Sequence, residues 1–266
     1  MQGLKRFKMR LAKNKLLLFA VIIILNLNAY GQKRLEKLQN NSNFEWEVVN
    51  VEKGLTLYYE ENSYAEKNID ELKVRVKQHL KSTMDFIGVE AYEKPIHYFI
   101  LEDRERMKLL VGYATNGNAN PKNNFITAIF SANLRSVYSN HELFHLLAMN
   151  LWGYPNTWIN EGMAVYSDNI WNGKDLNELS KYFIENDKYI PIERIVKKLK
   201  KYDSGITYPL LGSFIKFIDE TYGRETIKLI WSKGRRALKK ELGKSLAEIE
   251  KEWLLSLNSV AYENVK

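Results

Sequence analysis

Strand signals fade beyond residue 136 of the 266-residue chain, and that change restricts the fold more than any composition does. Upstream, residues 44–51 and 55–59 are rich in β-branched and aromatic side chains and flank the turn signal Glu52-Lys53-Gly54, which predicts a hairpin. From Ile69 the apolar positions Leu72, Val76, Leu80 and Ile87 recur at helical spacing, and Gly88 is placed to end a long helix that packs on a sheet. Pro95 opens a strand over Ile96–Leu101. Residues 103–111 read as a short helix stopped at Gly112, residues 116–124 as a loop rich in turn formers, and residues 125–130 as an apolar strand. Downstream, segments near 138–151, 157–171, 207–222, 225–240 and 245–257 carry helical periodicity, with Gly153, Gly223 and Gly243 near their boundaries. Strands first and helices afterwards predict an α+β fold, an N-terminal mixed sheet with a long packing helix followed by a helical C-terminal half. No repeat, low-complexity stretch or linker interrupts residues 40–266, so one domain over 32–266 is expected.

A formal charge of +8 on its own would point to nucleic acid or an anionic membrane. Its location removes that reading. Lys5, Arg6, Lys8, Arg10, Lys13 and Lys15 lie in the first 31 residues with no acidic residue among them, which leaves 34 basic against 32 acidic side chains, a balance of +2. The basic stretch runs into ten apolar residues, 16–25, and then into Ala29-Tyr30-Gly31 ahead of Gln32. Basic region, short apolar core and small-residue cleavage pattern are the layout of a secretory signal peptide. A spanning helix needs about 20 apolar residues. The expectation is therefore cleavage before Gln32 and export to the periplasm or beyond the cell, with no stable membrane insertion and no nucleic-acid partner.

Chemistry concentrates in Ser139-Asn140-His141-Glu142-Leu143-Phe144-His145. On a helix, residues four apart share a face, so His141 and His145 can turn two imidazole nitrogens toward one metal, with Glu142 beside them. A tetrahedral zinc site needs a third protein ligand. With no cysteine in the chain it must come from His, Asp or Glu. Only two other histidines exist, His79 beside the apolar stripe of the long helix and His97 in a strand, and both read as surface or packing residues. The metzincin pattern fails, because Ala148 and Leu151 stand where its glycine and third histidine belong. A carboxylate remains, and Glu161 in Trp158-Ile159-Asn160-Glu161-Gly162-Met163-Ala164 lies on a second helix that a turn near Gly153 to Asn156 can fold back. Small Gly162 and Ala164 suit close packing of those two helices. Asn160 and Asp168 are both candidates for orienting the ligands from behind.

On these residues the chain resembles the gluzincin metallopeptidases, the clan of thermolysin and the zinc aminopeptidases, and most of all the small peptidase-MA-like domains of bacterial envelope proteins. The motifs are His141-Glu142-x-x-His145, Trp-x-Asn-Glu-Gly-x-Ala at 158–164, and Tyr208 followed fifteen residues later by Gly223, within a resemblance covering roughly residues 95–257. The fifteen residues between His145 and Glu161 are fewer than in the large aminopeptidases. The resemblance implies a thermolysin-like catalytic core in which His141, His145 and Glu161 hold one Zn²⁺. Glu142 would act as general base on metal-activated water, and Tyr208 would donate to the oxyanion. It also implies that strand 125–130 is the edge strand along which an extended peptide or protein substrate lies. The Gly-Met-Glu-Asn element that grips a free N-terminus is absent, so nothing supports an exopeptidase.

The function expected is thus an exported zinc metallohydrolase, a peptidase cleaving amide bonds. Its rival is a non-catalytic envelope protein that keeps the same fold as a zinc-stabilised binding module. The basic runs at 197–201 and 235–240 read as solvated helix faces.

Overall fold

The computed structural model describes residues 33–261, so the segment expected to direct export, residues 1–31, lies outside the described residues. Five strands, β1 (Trp46–Glu52), β2 (Leu55–Glu60), β3 (Ile96–Leu101), β4 (Gly117–Asn120) and β5 (Phe125–Ile129), form one mixed sheet in the order β1-β2-β3-β5-β4. The hairpin β1–β2 is antiparallel, β2–β3 and β3–β5 are parallel, and β4 returns antiparallel along β5. Both faces of the sheet are covered. Leu57, Tyr98, Ile100, Ile126 and Ala128 turn to one side, while Tyr58, Phe99, Leu101, Phe125 and Ile129 turn to the other. Burial on two faces explains why β3 and β5 read as apolar runs rather than as alternating strands.

Helices follow α1 (Tyr64–Lys67): α2 (Ile69–Ile87), α3 (Arg104–Val111), α4 (His141–Trp152), α5 (Thr157–Asp168), α6 (Leu176–Glu185), α7 (Ile192–Lys198), α8 (Ser204–Tyr222), α9 (Arg224–Lys233), α10 (Arg236–Leu242) and α11 (Leu246–Ser256). The stripe Leu72, Val76, Leu80 and Ile87 of α2 is buried as its spacing predicts, and Gly88 ends the helix in the left-handed region at φ 84°. On the opposite face α3 contributes Met107 and Leu110; the Asp103 side chain caps it by accepting the Arg106 N–H at 2.8 Å. One apolar cluster runs from the sheet through α2 and α4 into α5, α8, α9 and α11. No helix among the described residues is long and apolar enough to cross a membrane.

Several expectations need correcting. The segment 116–124 is not all loop: it contains β4 and a 3-10 turn at Pro121–Asn123. The edge position expected of strand 125–130 belongs to Gly117–Asn120, and β5 is interior. Glycine and asparagine carry little strand propensity. Pairing with β5 on one side alone holds them extended. Helices α6 and α7 were not foreseen, although Asp175 caps α6 through the N–H groups of Asn177 and Glu178. The segment 225–240 breaks at Gly234, and 157–171 ends at Asp168, after which Ile170–Trp171 and Lys174–Asp175 form a small hairpin. Its turn residues Asn172 and Gly173 both take positive φ, as a tight two-residue turn demands.

Candidate metal centre

The helix α4 begins at His141 with its first N–H groups needing acceptors. The Ser139 hydroxyl accepts the His141 N–H at 3.1 Å, and a second element holds the residues that lead into the helix. The Asp168 carboxylate accepts the Asn140 N–H at 2.6 Å and the Ser139 hydroxyl at 2.5 Å, so the last residue of α5 caps the first turn of α4. The hairpin is therefore closed at both ends, by the turn near Gly153 and by this cap. Asn140 adds two further ties. Its amide donates to the Ser167 carbonyl at 3.0 Å, and its oxygen accepts from Ser82 and meets His79 Nδ1, both at 2.9 Å. Phe144 stacks edge-on against Phe86, Trp152 and Trp231, which fixes the rotation of α4 about its axis.

On the other side α5 lies tight on α8. A Cβ on Gly162 would stand 2.8 Å from Ile215 Cγ1 and 3.3 Å from the Leu211 carbonyl, and one on Gly212 would stand 2.7 Å from Val165 Cγ1. The close approach expected of Gly162 is thus made to α8 rather than to α4. Glu161, one residue before it, is held against the histidines.

His141 Nε2 and His145 Nε2 lie 3.1 Å apart, and each is 3.5 Å from Glu161 Oε2. Four ligands at 2.0–2.2 Å around a tetrahedral ion stand roughly 3.3–3.6 Å from one another. The spacing and the donor set, two imidazole nitrogens and a carboxylate oxygen, therefore fit a zinc ion. They are the one group of three or more such donors close enough for a shared metal among the described residues. Burial opposes charge on Glu161, yet hydrogen bonds and charge from the two imidazoles hold its carboxyl far below the usual range. Burial likewise pushes His145 down, and Glu161 with Glu142 and Asn160 outweighs it, so that its pKa is raised. His145 Nδ1 and Asn160 Oδ1 are both fully buried and have no hydrogen-bond partner among the described residues. Asn160 thus acts beside the His145 ring, whose pKa it helps to raise, whereas Asp168 acts on the approach to α4.

Glu142 projects from α4 toward β4, where Gly117 faces its carboxylate. Tyr208, in the second turn of α8, stacks on His141 at 6.5 Å and packs against Trp171 of the small hairpin. Burial first, then the Glu161 carboxylate, which its hydroxyl meets, raises the Tyr208 pKa. His79 and His97 take no part in the triad. His79 bonds Asn140, and His97 lies on the far face of the sheet with its Nδ1 3.0 Å from the Tyr58 hydroxyl. Lys197, Lys198, Lys200 and Lys201 border a surface cavity of about 580 Å³ that no triad residue lines. What sequence reasoning missed is the position of β4 beside Glu142, hidden in a run of asparagines, and the capping role of Asp168. No protein-family model matches the chain, and no curated protein matches it.

Proposed function

We propose that this protein is an exported zinc metallohydrolase, a peptidase of the gluzincin type with a thermolysin-like catalytic core. The observation that carries the reading is the convergence of His141, His145 and Glu161 on one point with Glu142 alongside. Export rests on the sequence of residues 1–31.

A zinc ion held by His141, His145 and Glu161 would supply Lewis acidity, polarising the scissile carbonyl and acidifying water. The chain supplies the rest. Glu142, on the same helix turn as His141 but pointing to the strand edge, takes the proton from the attacking water and passes it to the leaving amine. Tyr208 can turn its hydroxyl from Glu161 to donate to the oxyanion, and its neutral form is secured by burial and two nearby carboxylates. Asn160, beside the His145 ring, would keep it turned for Nε2 to hold the ion. The two-ended hairpin holds the backbones of His141, Glu142, His145, Asn160 and Glu161 fixed relative to one another.

The test is metal analysis of purified protein together with hydrolysis of denatured casein by wild type and Glu142→Ala. One zinc per chain is expected, with chelator-sensitive cleavage that the variant loses by a factor of roughly 10²–10⁴. No bound zinc, or equal cleavage by the variant, ends the proposal. Bound zinc with no cleavage would transfer the site to the non-catalytic binding protein.

A further inference from the structure

Three described glycines leave no room for a side chain, and they do so for different reasons. Gly162 and Gly212 would drive a Cβ into apolar core side chains, as closely packed helices require. Gly117 would drive its Cβ into Glu142, 2.6 Å from Oε1, 2.9 Å from Cγ and 3.0 Å from Cδ. Its backbone gives no reason for glycine, since it is absent from the residues at positive φ. It sits in the edge strand, paired with Ala128 of β5, where an alanine would extend at least as readily. Only the neighbouring carboxylate demands the missing side chain.

We infer that Gly117 is the positioning residue for Glu142: its bare backbone is the surface on which the carboxylate rests, and any side chain there turns Glu142 away from the metal triad. The inference deepens the proposed peptidase reading, on which its catalytic meaning depends. Physically, α4 fixes the Glu142 Cα, but three side-chain torsions remain free. The β4 backbone at Gly117 bounds that freedom. A Glu side chain facing a core of packed atoms could not yield, whereas here it can, by rotating. The cost of a Cβ therefore falls on the position of the carboxylate more than on the fold. The metal ligands, which meet on the α5 side of α4, stay where they are.

A double-mutant cycle separates this from a plain packing role. Gly117→Ala is made in wild type and in Glu142→Ala, and thermal midpoints and zinc affinities are measured for all four proteins. Gly117→Ala should lower the midpoint in wild type and leave it unchanged or raise it once the Glu142 side chain is gone. Zinc affinity should stay within about threefold throughout, far from the 10–100-fold that disturbing a site's supporting shell costs. A crystal structure of Gly117→Ala should show Glu142 in a different rotamer. Equal shifts of midpoint in both backgrounds, or an unmoved Glu142, overturn the inference. In casein hydrolysis, Gly117→Ala should lose at least tenfold in kcat with KM within twofold; loss of KM alone also overturns it. If wild type cleaves nothing, the peptidase reading falls, while the cycle and the rotamer still decide whether Gly117 places Glu142.

Discussion

Two histidines on different sides of the molecule, one buried and one half-buried, show how its surroundings set the proton affinity of an imidazole. His145 on α4 and His97 on β3 both lose solvation, and burial lowers the proton affinity of each. For His97 nothing opposes that loss, because its partner is the neutral Tyr58 hydroxyl. For His145 the Glu161 carboxylate reverses it. The difference lies in the architecture around the ring. A two-ended helical hairpin, pressed from behind by α8, delivers a carboxylate to 3.5 Å from His145 Nε2, whereas the sheet face at His97 offers packing and one hydroxyl. Burial alone lowers the proton affinity of a histidine, as at His97, and a fixed carboxylate beside the ring reverses that, as at His145.

Removing that carboxylate is the strongest way to break the contrast. Glu161→Gln keeps the shape and deletes the charge, so zinc affinity should fall by well over 100-fold, beyond the 10–100-fold typical of outer-shell losses. A metal present at about 1,000 times its Kd stabilises by about 4 kcal/mol. At roughly 2–4 °C per kcal/mol for a chain of this size, chelation should lower the wild-type melting temperature by about 8–16 °C. The variant should barely respond. An equal response to chelator in both proteins would show that the triad is not where zinc binds.

A smaller effect probes the scaffold. Asp168 bonds none of the three triad residues, but it holds Ser139 and Asn140, which lead into α4, by two hydrogen bonds. Asp168→Ala should cost about 1–2 kcal/mol in urea unfolding of the metal-free protein, the range for losing a helix cap. Zinc affinity should fall too, by less than in Glu161→Gln, as His141 gains freedom. Unchanged stability would mean that the turn near Gly153 alone sets the hairpin.

Much of this was legible in sequence because its determinants are local. The His141/His145 spacing, the Glu161 motif, the stripe of α2 and the Gly88 and Gly112 stops each lie within one element, where period and cap chemistry decide the outcome. The hairpin β1–β2 was legible for the same reason. What escaped depends on contacts distant in sequence. The strand Gly117–Asn120 exists because β5 pairs with it, against the propensities of its own residues. Asp168 and Asn160 were both read as able to orient ligands, and only the fold separates them, since one meets the end of α4 and the other the ring of His145. Gly162 was read as small for the sake of α4, and the close neighbour is α8. Helix α6 was missed although its apolar residues Leu176, Leu179 and Phe183 and its cap at Asp175 were there to be read.

The mildest test returns to His97. Tyr58 accepts from Gln39 at 2.6 Å and its hydroxyl lies 3.0 Å from His97 Nδ1, a contact that suits a neutral ring with its proton on Nε2. Protonation would place a second donor on that nitrogen and force the bond to reverse. With burial lowering the folded pKa below the usual value of about 6.5, the native state binds fewer protons than the unfolded chain at mildly acid pH. The contribution of His97 to stability is therefore complete above the unfolded pKa and is lost as pH falls toward and through the folded one. Measured in the Glu161→Gln background, where bound metal cannot intervene, His97→Gln should remove that loss. Urea midpoints of the two proteins should converge as pH falls from about 7.5 to 5.5, with the other histidines cancelling in the difference. A constant gap between them would mean that the Tyr58 contact accommodates either protonation state. The lowered proton affinity that burial alone gives His97 would then be absent, and the contrast with His145 would lose that half.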